Sequence, residues 1–336
     1  MSPSSDRGRV RDGGGAGSAE NLDGARRSKC VEKRRVTLDI PKEVQSMNQS
    51  SRSVAQVVTP EPVVEGAGVH LRRSIGTRKL DHLDPFLLLD HFESIDPGDY
   101  KAGFPYHPHR GIETVTIVRK GEVRHEDSLG HRGTIGAGDI QWMTSGSGIM
   151  HEEMPQVRPE GIAGLQLWLN LPAREKMTRP KYRDLQADRL TEPVLDGGAK
   201  VRVIAGEAAG GRLTGPVEGL AVAPKFIDVT LPPGTTFRET VPLGHTVFAY
   251  IDHGDLRFGP ERTPVHGPAL VIFGDGDVVE ASAGAGGGRF LLAAARPLHE
   301  PIARYGPFVM NTRAEIEQTL EDLRTGHFIH DAPRDE

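Results

Sequence analysis

Between about Val63 and Phe308 the apolar positions come in short runs, often alternating, broken by Gly, Pro and Asp. Examples are Glu113 to Val118, Leu165 to Leu169, Lys200 to Ala205, Phe226 to Leu231, Val247 to Ile251, Ala269 to Phe273 and Arg289 to Ala294. Period-two runs bounded by turn residues predict strands, and their close spacing predicts a barrel or sandwich. The run is too long for one small barrel. A polar stretch at 172–198, with Pro172, Pro180, Pro193 and Gly197-Gly198, divides it. The expected organisation is a first lobe over 59–185 and a second over 186–326. Gly138-Asp139 in the first lobe and Gly274-Asp275-Gly276-Asp277 in the second fit a duplicated β unit. One helix is predicted near the end. Thr312 and Glu315 form a capping box, Ile316, Leu320 and Leu323 recur at helical spacing, and Gly326 stops it. Residues 327–336 read as a tail.

Residues 1–58 differ in texture. They hold 11 Lys/Arg against 7 Asp/Glu, clustered glycines and few large apolar side chains. Such a segment cannot offset its ordering entropy, so a disordered tail is expected, or a true start at Met47. The whole chain has 336 residues and a formal charge of −5, so no broad basic field points to nucleic acid or anionic lipid. A single cysteine, Cys30, excludes an internal disulfide or a cysteine-rich zinc site. The longest apolar runs are far too short to span a bilayer, and with no n-region and h-region pair at the start a secretory signal is not expected. A cytoplasmic protein is expected, or a nuclear one in a eukaryote.

Eight of the 14 histidines fall before residue 152. His107 and His109 flank Pro108, and 42 residues later His151-Glu152-Glu153 repeats the i, i+2 spacing. On strands, residues two apart share a face, so the two dyads would bring three imidazoles and the Glu153 carboxylate to one point, with Glu152 turned outward. That donor set suits Fe(II), Ni, Cu or Zn and leaves open coordination positions. Ordinary surface histidines remain the alternative on spacing alone. Between the dyads, Trp142 and Met143 are candidates to wall a pocket or fill a core. His125 and His131 are candidates to orient ligands, and Gly146 and Gly148 suit the turn that returns the chain to the strand of His151.

The stretch Phe104 to Pro155 resembles the cupin superfamily and, within it, the pirin family. The phrases are His-Pro-His-Arg-Gly-Ile-Glu-Thr-Val at 107–115, Gly-His-Arg-Gly at 130–133, Gly-Asp-Ile-Gln-Trp-Met-Thr-Ser-Gly-Ser-Gly-Ile at 138–149 and His-Glu-Glu-Met-Pro at 151–155. Leu165 to Leu171, Arg72 to Gly76, Leu83 to Phe86 and Gly306 to Thr312 extend the likeness. The resemblance implies an all-β bicupin: two tandem double-stranded β-helix barrels with a short C-terminal helix. It implies one divalent transition metal per chain, iron most often (Ni, Cu, Mn and Zn being alternatives), on His107, His109, His151 and Glu153. Glu113 stands at the carboxylate position of the general cupin motif, outside the usual pirin ligand set. With His125, Gln141, Trp142 and Met143 it is a candidate for the pocket or the layer behind the ligands. The second barrel offers no comparable set and is expected to be metal-free.

Two functions follow from the resemblance. One is a quercetin 2,3-dioxygenase-type ring opening of a small aromatic substrate with O2, Glu153 acting as base as well as ligand. The other is a non-enzymatic, iron-dependent redox sensor or transcriptional co-regulator with a regulatory protein partner. In neither does the folded core bind nucleic acid directly or enter a membrane.

Overall fold

The computed structural model describes residues 49–330. Twelve strands run to residue 185: β1 (Val54–Val58), β2 (Glu61–Glu65), β3 (Val69–Ile75), β4 (Phe86–Ser94), β5 (Phe104–His109), β6 (Ile112–Lys120), β7 (Glu122–Asp127), β8 (Arg132–Gly136), β9 (Ile140–Thr144), β10 (Ile149–Gln156), β11 (Ile162–Asn170) and β12 (Lys181–Leu185). β13 (Lys200–Ala205), β14 (Glu207–Ala208), β15 (Leu213–Thr214), β16 (Lys225–Leu231), β17 (Thr236–Thr240), β18 (Thr246–Phe258), β19 (Thr263–His266), β20 (Ala269–Phe273) and β21 (Val278–Ala295) follow. A hairpin, β22 (Ala303–Tyr305) and β23 (Phe308–Met310), leads into α1 (Arg313–Thr325). No helix of the described residues is long and apolar enough to cross a membrane.

In the first barrel, the sheet β12-β9-β6-β11-β4-β3-β2 lies against the four-stranded sheet β5-β10-β7-β8, and both line one cavity. Alternation along each strand of the larger sheet decides what faces that cavity. On β11, Leu165, Leu167 and Leu169 join an apolar seam with Phe226, Phe248 and Leu291 of the second barrel, while Gln166 and Trp168 face the cavity. On β6, Val115 and Ile117 go to the seam and Thr116 to the cavity. The seam is tightly aromatic: Phe86 meets Phe248 edge-on at 4.8 Å between centroids, and Trp142 meets Phe226 at 5.2 Å.

Beside this apolar seam lies an ionic one. Arg119 of β6 places Nη1 2.7 Å from Asp228 and Nε 2.8 Å from Asp252. Arg202 and Arg289 also reach Asp228, at 2.7 and 2.6 Å. Burial alone would raise the Asp228 carboxyl, but Arg119, Arg289 and Arg202 outweigh it and hold the group well below the usual carboxylate range.

The second barrel is one continuous sheet built on two long strands. β21, 18 residues long, pairs β17 through its first half and β16 through its second, and β18 runs along it for 13 residues. The interior is apolar and filled, with Phe237, Phe258, Phe290 and Leu292 at its centre.

Two boundaries differ from the sequence expectation. Residues 49–58 are not tail: β1 pairs with β20, so this segment adds an edge strand to the second barrel although it precedes the first. Arg52 is buried and donates to the carbonyls of Gly274 (2.8 Å) and Pro242 (3.3 Å). The remainder of the expected tail, residues 1–48, lies outside the described residues. At the other end, Phe328 is buried against Phe308 and the guanidinium of Arg110, so packing continues beyond 326.

The helix forms as its caps dictate. The Thr312 side chain accepts from the Glu315 N–H, Glu315 returns the bond to the Thr312 N–H, and Gly326 closes the end in the left-handed region. Arg110, next to His109, fixes the helix to the first barrel. It donates to Ser147 O (2.6 Å) and to Asp322 (2.7 Å). Gly111 follows with φ +81, and a Cβ there would run into the carbonyl of Val309, so only glycine lets β23 come this close. Lys176 closes the same joint, its ammonium donating to Gly111 O, Asn170 Oδ1 and Val309 O at 2.7–2.9 Å.

Candidate metal centre

The two dyads lie on neighbouring antiparallel strands. His107 sits opposite His151 across the β5–β10 ladder and His109 opposite Ile149; a bulge between His151 and Glu153 then puts Glu153 opposite Phe104. The three imidazoles converge, with ring centroids 4.5–5.0 Å apart. One ring nitrogen from each lies within 4.8 Å of the other two. The Nε2 atoms of His107 and His109 are 3.0 Å apart. Two nitrogens at right angles about 2.1 Å from a shared ion would have this spacing.

The electrostatics favour neutral rings with free lone pairs. Burial lowers the pKa of His107, His109 and His151, and for the last two the neighbouring imidazoles lower it further. His107 Nδ1–H donates to Pro105 O at 2.9 Å, which leaves its Nε2 as the lone-pair atom. His151 Nδ1 lies 3.3 Å from the Tyr182 hydroxyl, and its Nε2 is buried with no protein partner. A buried polar atom without a partner costs about 1–3 kcal/mol, and a bound cation would remove that cost. By spacing, protonation and donor type the triad fits a borderline divalent transition ion.

Glu153 faces the same cavity but stands outside the tight cluster, which among the described residues contains only the three histidines. Burial pushes its carboxyl up to about 7, opposed by a hydrogen bond to Thr116 Oγ1 at 3.2 Å. The Thr116 hydroxyl is also 2.6 Å from Gln166 Oε1. Glu152 points outward and pairs with Arg124 at 3.0 Å.

The cavity holds about 550 Å³. Its walls include Phe92, Phe104, Tyr100 and Trp168, a combination suited to a flat aromatic ligand. His107, His109 and Glu153 belong to the same lining. Elsewhere in the lining, Arg73 grips Asp90 through two bonds of 2.7 Å and Glu65 through a third, also of 2.7 Å. Arg304, from the C-terminal hairpin, completes the lining.

Six residues expected at the pocket or behind the ligands are placed elsewhere or further back. Trp142 and Met143 are fully buried and do not line the cavity; Trp142 fills the seam because it shares the face of Val115 and Ile140. Glu113 lies on that same outward face of β6 and accepts from Thr144 at 2.7 Å. Gln141 donates to Asp184 at 3.0 Å and is also absent from the cavity wall. His125 stacks on Tyr182 at 5.8 Å, and the same phenol lies 3.3 Å from His151 Nδ1. His131 pairs with Asp127 at 2.8 Å. Residues that the sequence reading missed are Arg73, Asp90, Thr116, Gln166, Trp168 and Arg304. Leu165 to Leu171 carries a pirin-like phrase, yet nothing in it marks Trp168 as a wall rather than core.

Comparison with known proteins now decides the family. The family models described as pirin and as the pirin C-terminal cupin domain match residues 68–169 and 226–329. The chain belongs to the pirin family. Human pirin is 41% identical over 279 residues, 82% of this chain and 93% of its own. A Pseudomonas aeruginosa protein, provisionally named a quercetin 2,3-dioxygenase, is 44% identical over 281 residues, 82% of this chain and 97% of its own. The crystal structure of a quercetin 2,3-dioxygenase from Acinetobacter baumannii superposes with a TM-score of 0.74 at 34% identity, covering 83% of this chain and 99% of that one. In this pirin-family chain the two matched segments fall on the two barrels, and the histidine triad lies within the first.

Proposed function

We propose that the chain is a metal-dependent dioxygenase of the quercetin 2,3-dioxygenase type, opening a flavonol or a similar enolic or phenolic compound at a mononuclear centre. The observation that carries this reading is the convergent histidine triad, His109 and His151 buried and His107 partly so, beside an aromatic-lined cavity. His107, His109 and His151 would hold the ion, with Glu153 within the same cavity as fourth ligand; iron(II) is the metal favoured, and Ni, Cu, Mn or Zn are compatible with the donors. Such an ion supplies Lewis acidity toward a substrate oxygen and chemistry with O2.

The protein's own groups do the rest. Phe92, Phe104 and Trp168 bury a planar ring and exclude water around it. Glu153 accepts the proton of the substrate hydroxyl. Thr116 has one hydroxyl proton to share between Glu153 and Gln166. When that proton goes to Glu153 it supports the carboxylate; when it goes to Gln166 the Thr116 oxygen can accept from the protonated carboxyl. The same hydroxyl thus serves both states of the base.

The test is dioxygen consumption with quercetin by chain reconstituted with Fe(II) under anaerobic conditions. Oxygen uptake stoichiometric with quercetin loss, absent in the His107→Ala/His109→Ala variant, is the expected result. Fully metal-loaded protein that consumes no more oxygen than that variant would contradict the reading.

A further inference from the structure

Arg304 is a charged group of the cavity lining to which the proposed reaction gives no role. Arg304 lies in β22 opposite Val309 of β23 and lines the cavity, although the residue as a whole is solvent-exposed. Its guanidinium lies over the Trp168 ring, 5.2 Å from the centroid. Trp168 in turn meets the His109 ring edge-on at 5.1 Å. The indole therefore spans from the metal-side histidines to the arginine. Arg304 makes no ion pair within 4.0 Å among the described residues, and its one hydrogen bond, to Gly306 O, is long at 3.4 Å. Arg73, the other arginine in the lining, is committed to Asp90 and Glu65. Arg304 is the cavity cation left with donors to spare.

The backbone that presents it is fixed. Val309, its partner across the hairpin, donates to Arg110 O at 3.1 Å and accepts from Lys176 at 2.7 Å, and Arg110 adjoins His109. The hairpin that carries Arg304 is thus held against the first barrel by these contacts to Arg110 and Lys176. A planar guanidinium with free N–H groups on an aromatic face is suited to bind a carboxylate, sulfonate or phenolate through two parallel bonds.

We propose that Arg304 is a specificity-determining residue and that the preferred substrates are aromatic compounds carrying an anionic group at the end remote from the metal-binding oxygens. This rests on the cavity being the substrate site of the proposed dioxygenase. The anion meets Arg304, the rings lie along Trp168, and the reacting oxygens reach the triad. The arginine thereby fixes which end of a flat ligand enters first.

Binding without turnover tests this. Full-length, metal-loaded protein is titrated anaerobically by calorimetry with quercetin and with quercetin-5′-sulfonate, a matched pair differing by one distal anionic group. The wild type should bind the sulfonate about tenfold more tightly. Arg304→Gln should abolish that preference while leaving quercetin affinity within about twofold, and Arg304→Lys should retain part of it. Equal effects of Arg304→Gln on both probes, or quercetin binding with no preference for the sulfonate in the wild type, would overturn the role of Arg304 and leave the dioxygenase reading standing. Binding of neither probe would instead overturn the cavity as an aromatic site, and the Arg304 proposal with it.

Discussion

The two barrels of this chain are both built of antiparallel strands and differ in what they enclose. In the first, the β5–β10 ladder sets His107 against His151, and the interior is a cavity of about 550 Å³. In the second, the β17–β21 ladder sets Phe237 against Ala281 and Glu239 against Val279. There Glu239 is spent on an ion pair with Lys225 at 2.8 Å, and Phe237, Phe258 and Phe290 stack edge to face at 5.4–5.6 Å. One barrel keeps polar donors around a cavity; the other fills its core and packs against the first through the apolar seam. A duplicated scaffold can thus assign chemistry to one copy and anchoring to the other, by a few inward-facing positions on equivalent strands.

That division can be broken from either side. The largest effect should come from the first barrel: His109→Ala should lower metal affinity at least 100-fold, read by equilibrium metal binding, with the melting temperature changed by only a few degrees. Next, Glu153→Gln should retain metal within about tenfold while lowering kcat for oxygen uptake about 100-fold or more, as loss of a general base does. If kcat survives, Glu153 is a ligand or a bystander, not the base. In the second barrel, Phe290→Ala should cost about 3–5 kcal/mol by denaturant unfolding, yet leave stoichiometric metal binding in the folded fraction.

At the seam, Asp228→Asn leaves three arginines without their shared carboxylate and should cost about 3 kcal/mol at neutral pH. The folded-state pKa of Asp228 is depressed, so its stabilisation is fully present above the ordinary carboxylate value of 3.8 and is lost as pH falls below it toward the folded value. The gap between wild type and Asp228→Asn should therefore be flat from pH 5 to 8 and narrow below about 4. The smallest effect concerns the edge strand. A chain beginning at residue 59 should melt about 5 °C below one beginning at 49, because it lacks β1 and the buried Arg52.

Much of this was legible in local pattern. β13 coincides with the run Lys200 to Ala205, and α1 follows from Thr312, Glu315 and Gly326 alone. The convergence of His107, His109 and His151 follows from two i, i+2 spacings once β5 and β10 are known to pair. What was not legible is non-local. Val54–Val58 finds its partner more than 200 residues away at Leu270–Phe273, and nothing in its sequence names that partner. Alternation also tells which residues share a face, not which face is hollow: Trp142 and Trp168 both sit on strands of the same sheet, yet one fills the seam and the other lines the cavity. Arg304 reaches the site only because Gly111 and Lys176 bring the C-terminal hairpin against β5.

Under the proposed function, the triad in the first barrel holds one transition ion. The measurement that addresses it most directly is elemental analysis of anaerobically reconstituted protein, wild type beside His107→Ala/His109→Ala, after desalting. About one metal per chain is expected in the wild type and essentially none in the variant, with both folded by circular dichroism. Equal metal in the two proteins, or none in either, would contradict it.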